Sequence, residues 1–118
     1  HPLEAARLLK TDTRQIQNQR LQSAQNLADQ FHCVVVLKGS GTVIAAPGQT
    51  PRINTTGNGK LAIGGTGDVL AGLIGARMAQ GLNAFEAACT AVHQHGQVAD
   101  VWPKDQALTA SRLAQALC

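Results

Sequence analysis

Gly64-Gly65-Thr66-Gly67-Asp68-Val69-Leu70 is the stretch on which the reading of this chain turns. Before it, Thr55 to Lys60 is polar. After it, Val69, Leu70, Leu73, Ile74 and Met78 recur at helical spacing. The pattern predicts a helix from about Thr66 to Gln80, with Gly81 as its stop. Three of the first four residues are glycine, which allows positive φ and close approach of a ligand to the main chain. The first N–H groups of a helix have no intrahelical partner, so glycine-lined amides at a helix start can hold an anion. Asp68 falls in the first turn beside them. Amides that hold a phosphate, next to a carboxylate that takes a proton from an attacking hydroxyl, suit phosphoryl transfer. The same residues also suit an ordinary helix start, where acidic residues are favoured and glycines serve a tight turn. Neither Gly-Lys-Ser/Thr nor Gly-x-Gly-x-x-Gly is present, which excludes two common phosphate-binding loops.

Upstream, Cys33-Val34-Val35-Val36-Leu37 is a continuous apolar run rich in β-branched residues. It predicts a strand buried on both faces, as in a parallel sheet. Lys38-Gly39-Ser40-Gly41 then turns, and Thr42-Val43-Ile44-Ala45-Ala46 is the next strand, in an antiparallel hairpin. Arg52-Ile53-Asn54 is a short third strand. Pro2 opens a helix over residues 2–9. Thr11-Asp12-Thr13 caps a second helix that runs to about Gln30. Downstream, Asn83 with Glu86 forms a capping box for a helix that reaches about Val101 and ends before Pro103. A last helix covers about Thr109 to Leu117. This order is α/β with a small sheet, and its strand–helix alternation begins midway, which suggests the C-terminal part of a larger layered fold.

The chain has 118 residues, a net charge of +3, 12 glycines and three aromatics, Phe31, Phe85 and Trp102. The basic residues are scattered and do not alternate with aromatics, so nucleic acid is not expected as a partner. No apolar run approaches ~18 residues, and no membrane span is indicated. Cys33, Cys89 and Cys118 form no CxxC pair and are odd in number, which fits free buried thiols in a reducing cytoplasm. The chain opens on His1-Pro2 and not on Met, which points to preceding sequence.

Other residues could carry chemistry. Lys38-Gly39-Ser40-Gly41-Thr42 follows a strand, where open α/β sheets hold their ligands. Backbone amides, two hydroxyls and one charge there could hold a nucleotide, although the segment alone favours a hairpin turn with a solvent-facing lysine. His93 and His95 stand two apart, whereas metal pairs on a helix stand four apart. No ligand set is completed, and none is expected. His95-Gly96 is expected to serve packing or a local hydrogen bond. Cys89 has no base partner in sequence. His1 reads as a frayed terminus from its position, or as a ligand contact.

Taken together, His1-Pro2-x-Glu4-x-x-Arg7-Leu8-Leu9, Leu37-Lys38-Gly39-Ser40-Gly41-Thr42-Val43-Ile44, Asn54-x-Thr56-Gly57-Asn58, Ala62-x-Gly64-Gly65-Thr66-Gly67-Asp68-Val69-Leu70 and His95-Gly96 resemble a known family. They look like the C-terminal half of the ADP/ATP-dependent NAD(P)H-hydrate dehydratases of the ribokinase-like superfamily. The resemblance implies the C-terminal part of a three-layer α/β/α domain over residues 1–118, with the upstream part of the domain missing. It also implies dehydration of the S form of NADH or NADPH hydrate with ADP or ATP as phosphoryl donor and Mg2+ accompanying the nucleotide.

By that resemblance Asp68 is the base and touches the hydrate, and His1 contacts the hydrate. Gly65, Thr66 and Gly67 hold the phosphates, and Lys38, Gly39, Ser40, Gly41 and Thr42 contact the nucleotide. No protein metal ligands are implied. Asn58-Gly59-Lys60-Leu61 departs from the Asn-Pro-Gly-Met common in the family and adds a positive group. The partners expected are these small molecules, together with a second copy of the chain or the missing N-terminal part, in the cytoplasm. Two other readings stay open. One is a ribokinase-like small-molecule kinase that releases a stable phosphate ester. The other is a nucleotide-binding fragment without turnover of its own.

Overall fold

Short polar side chains start three of the six α-helices. In the computed structural model, which describes residues 1–118, Asp12 accepts the Gln15 N–H at 2.7 Å and opens α2, Thr13–Asn18. Asn83 accepts the Glu86 N–H at 2.9 Å and opens α5, Ala84–Val101. Thr109 accepts the Arg112 N–H at 3.2 Å and opens α6, Ala110–Leu117. Each satisfies an amide that the helix itself cannot. α1, Pro2–Leu9, is capped by His1. The chain divides into two compact units, His1–Asn54 and Thr55–Cys118.

In the first unit the expected long second helix is in fact two. α2 ends at Asn18 and α3 spans Arg20–Phe31, with Gln19 at φ −135° and ψ 55° between them. α2 packs against α1, while α3 packs against the sheet. One apolar stripe therefore meets two differently placed partners, and the chain bends although glutamine is a good helix former. The sheet has the order β1-β2-β3, with β1 Val35–Leu37, β2 Val43–Ala45 and β3 Arg52–Ile53. Both pairings are antiparallel, with Val36 opposite Ile44 and Ile44 opposite Arg52.

Among residues 1–118 the strand expected to be buried on both faces pairs on one side only, with β2. It begins at Val35, Val35 and Val36 are half-buried, and Cys33 is exposed. β2, the middle strand of these three, is the fully buried one. With a neighbour on one side only, the apolar run of β1 stays partly open. The core gathers Ala5, Ala6, Ile16, Leu27, Leu37 and Val43. All three cysteines are free, but Cys33 and Cys118 are exposed, which corrects the expectation of buried thiols.

In the second unit α4, Thr66–Ala79, packs on α5, and α6 contacts both. α4 stops where Gly81 takes φ 102°, its N–H reaching Met78 O at 3.0 Å. A core of Ala99, Leu108 and Leu113 closes with Leu61, Val69 and Trp102 around it. No helix is long and apolar enough to cross a membrane.

Candidate active site

α4 is the one long helix of the second unit that begins without a side-chain cap. Its first position is preceded by Gly65 at φ 89° and ψ −12°, and no side chain caps the helix there. The first intrahelical bond runs from Val69 N–H to Gly65 O at 3.1 Å. The N–H groups of Thr66, Gly67 and Asp68 thus precede the ladder, where the helix dipole concentrates partial positive charge. A Cβ on Gly65 would stand 3.0 Å from Ala110 Cβ, so the left-handed turn and the packing against α6 both require glycine there.

The Thr66 hydroxyl faces inward and donates to Leu61 O at 2.7 Å and Ile63 O at 3.2 Å. Asp68 is exposed at the third helical position.

His95 and Gly96 hold this helix start and the preceding loop on α5. Buried His95 lies with Nε2 2.9 Å from Thr66 O. A carbonyl only accepts, so the proton sits on Nε2. The sequence predicts packing or a local hydrogen bond for His95; it is buried, and its bond reaches a different helix, 29 residues back in the chain. Gly96 lets the Thr56–Gly57 main chain lie directly on α5, where a Cβ would come within 2.7 Å of Thr56 C and 2.8 Å of Gly57 N. Three bonds fix that segment: Thr56 Oγ1–H to His93 O at 2.9 Å, Gly57 N–H to Asp100 Oδ2 at 2.9 Å and Asn58 Nδ2–H to Ala99 O at 3.0 Å. Asn58 also caps a 3₁₀ turn, Gly59–Leu61, by accepting the Lys60 N–H at 2.9 Å. No group of three or more His, Cys, Asp or Glu side chains is placed to hold a metal ion.

In the first unit Lys38–Thr42 is the β1–β2 connection, as expected. Lys38, Gly39 and Ser40 are exposed. Thr42 Oγ1 donates to Gly39 O at 3.0 Å and accepts the Gly39 N–H at 3.2 Å, which closes the turn from within. Arg20 lies beneath it. Its Nη2 donates to Leu37 O at 3.1 Å and Gly41 O at 3.3 Å, and its Nη1 to Gln17 Oε1 at 2.7 Å. Partial burial draws this guanidinium below its ordinary range, yet an arginine stays cationic.

His1 is a cap and not a frayed end. Its Nδ1 accepts the Leu3 N–H at 3.2 Å, and its main-chain nitrogen donates to Glu4 Oε2 at 3.2 Å. That hydrogen bond lowers the Glu4 carboxyl, and Lys38 and Arg7 add to the effect. Lys38 is therefore within electrostatic reach of the α1 start.

Two contributors escaped the sequence reading, Arg20 and Asp100. Both carry a charge at the wrong end of a helix for the helix dipole: a cation at the start of α3 and an anion in the last turn of α5. That mismatch is a readable signal that a residue is held for something outside its helix.

A family model described as NAD(P)H-hydrate dehydratase (Carb_kinase) matches residues 1–118. A relative from Neisseria meningitidis serogroup B, named ADP-dependent (S)-NAD(P)H-hydrate dehydratase, is 44% identical over 114 residues, 97% of this chain and 38% of that protein. The structure of the ADP/ATP-dependent NAD(P)H-hydrate dehydratase from Bacillus subtilis, co-crystallized with ATP/Mg2+ and soaked with CoA, superimposes with a TM-score of 0.92 at 38% identity. It covers 99% of this chain and 44% of that one. A ribokinase-like superfamily protein from Enterococcus faecalis gives a TM-score of 0.86 at 34% identity, over 99% and 40% of the two chains. The chain thus spans less than half the length of these relatives. With its α/β fold of ribokinase-like type and its family pattern matched from end to end, the chain belongs to the NAD(P)H-hydrate dehydratase family.

Proposed function

We propose that this chain is a portion of a single ribokinase-like domain that dehydrates the S form of NADH or NADPH hydrate, using ADP or ATP, in the cytoplasm. The observation that carries the proposal is the start of α4. It has an uncapped glycine turn, main-chain amides of Thr66 and Gly67 that precede the helical ladder, and an exposed carboxylate, Asp68, one residue further on. The reading is further supported by the family match and by the adenine nucleotides named for its relatives.

In this reading Gly65, Thr66 and Gly67 bind the phosphates of the nucleotide through the main chain. Lys38 to Thr42 contact its AMP part, and His1 contacts the hydrate. Asp68 takes the proton of the ring hydroxyl as that oxygen attacks the terminal phosphorus. The bond from phosphorus to the leaving AMP or ADP oxygen breaks. Phosphate then leaves the ring by elimination, together with a proton from the adjacent ring carbon, and this restores NAD(P)H. Mg2+ accompanies the nucleotide. The chain's own side chains do not form a cage for it, and no step here depends on one.

The test is Asp68→Asn, which keeps shape but cannot take a proton. Removing a general base costs ~10²–10⁴-fold in rate. Turnover of the hydrate, followed by recovery of NAD(P)H absorbance, should fall in about that range. Nucleotide affinity and melting temperature should change little, since an exposed charge at a helix start contributes only ~0.3–1 kcal/mol. Near-normal turnover would exclude Asp68 as the base. A stable phosphate ester in place of NAD(P)H would exclude the dehydratase reading in favour of a small-molecule kinase.

A further inference from the structure

Arg20 stands on the first residue of α3, immediately after the bend at Gln19. The bend aims its side chain across the unit at the β1–β2 turn, seventeen and twenty-one residues further along the chain. There one nitrogen, Nη2, binds the carbonyls on both sides of the turn: Leu37 O, at the end of β1, and Gly41 O, just before β2. The turn residue between them lies flat on the guanidinium. Gly39 has φ +154°, and a Cβ there would stand 3.0 Å from Nη2, 3.1 Å from Nη1 and 3.3 Å from Cζ. Gln17, on α2, holds the other side of the fork through Nη1 at 2.7 Å.

Three consequences follow for a ligand with negative charge. Two carbonyl oxygens, which would repel a phosphate, are drawn in beneath the turn and neutralised. A fixed positive charge lies directly under the turn, in a part-buried setting where it is less screened than a surface lysine. The turn itself is held in one shape, so less order must be imposed when a ligand binds. Lysine could not do this, because its ammonium is a point donor without the planar fork that spans Gln17, Leu37 and Gly41.

We propose that Arg20 is the positioning residue of the Lys38–Thr42 turn, pre-shaping it and its electrostatic field for the adenine nucleotide while touching neither the hydrate nor the reacting atoms. This rests on the function proposed above.

The experiment compares wild type, Arg20→Gln, Arg20→Lys and Gln17→Ala in the protein at its full natural length. It measures ADP and hydrate KM, kcat and melting temperature. Arg20→Gln should raise the ADP KM about tenfold, with kcat and hydrate KM within about twofold. Arg20→Lys should recover only part of that loss, and Gln17→Ala, at an exposed residue that cannot unfold the chain, should raise the ADP KM about two- to threefold. An unchanged ADP KM in both Arg20→Gln and Gln17→Ala overturns the inference. So does a fall in which kcat and both KM values worsen together in step with melting temperature, since that is a merely structural role. If Arg20→Gln does not fold, Arg20→Lys and Gln17→Ala carry the comparison with the same criteria. Absent ADP-dependent turnover in the wild type would refute the proposed function and this inference with it. Normal wild-type turnover with unaltered variants would refute this inference alone.

Discussion

Replacing Gly96 by alanine puts two physical readings of one glycine in opposition. In an ordinary helix interior, glycine to alanine stabilises by ~0.8–1 kcal/mol. Here the new methyl would meet the main chain of another segment, at 2.7 Å from Thr56 C and 2.8 Å from Gly57 N. These are backbone atoms, which cannot escape by changing rotamer. Ordinary contact begins near 3.4 Å, so they must retreat by at least ~0.6 Å. Overpacking of this kind costs ~1–3 kcal/mol. The retreat also stretches the Thr56–His93, Gly57–Asp100 and Asn58–Ala99 bonds, and losing one of them adds ~1 kcal/mol. Set against the propensity gain, the net loss is ~1–3 kcal/mol. For a chain of this size each kcal/mol moves the melting temperature by roughly 3–6 °C, so a fall of roughly 3–18 °C is expected. Thermal melting followed by circular dichroism, with urea unfolding alongside, measures it. Amide shifts should concentrate at Thr56–Asn58. A melting temperature equal to or above wild type would refute the close approach of the Thr56–Gly57 segment to α5.

His95→Phe puts a somewhat larger apolar ring in the same place and removes the donor to Thr66 O. It should cost ~0.5–1.5 kcal/mol, the usual net worth of one hydrogen bond, since Thr66 O keeps its intrahelical partner, and an unaltered urea midpoint would contradict it. His32 closes α3 in the left-handed region at φ 51° and ψ 49°, which costs a side-chain-bearing residue ~1–2 kcal/mol. After the entropy glycine adds to the unfolded chain, His32→Gly should still stabilise by about 0.5–1 kcal/mol, and a lower urea midpoint would refute this.

What the sequence determined by itself is what neighbouring residues decide among themselves. Asp12, Asn83 and Thr109 mark helix starts because each can bond an amide two or three residues ahead, whatever the rest of the chain does. Gly81 and Pro103 end helices for equally local reasons, and the spacing of Leu37 and Val43 around a glycine turn leaves only a hairpin. The glycine start of α4 and the position of Asp68 were legible on the same grounds.

Tertiary structure decided what depends on distant partners. The apolar run before Lys38 reads as a strand covered on both faces, and how far it is covered depends on its neighbours: residues 1–118 pair it on one side only, with β2. The bend at Gln19 has no local breaker; it exists because α2 and α3 meet different surfaces. His1, read as a loose end, is ordered by Leu3 and Glu4. Arg20, Asp100 and Gly96 owe their roles to main-chain atoms of segments remote in sequence. A charge opposed to its own helix dipole, or a glycine inside a long helix, reveals locally only that something else holds it. Which carbonyl, amide or backbone it meets follows from the packing of elements far apart in the chain.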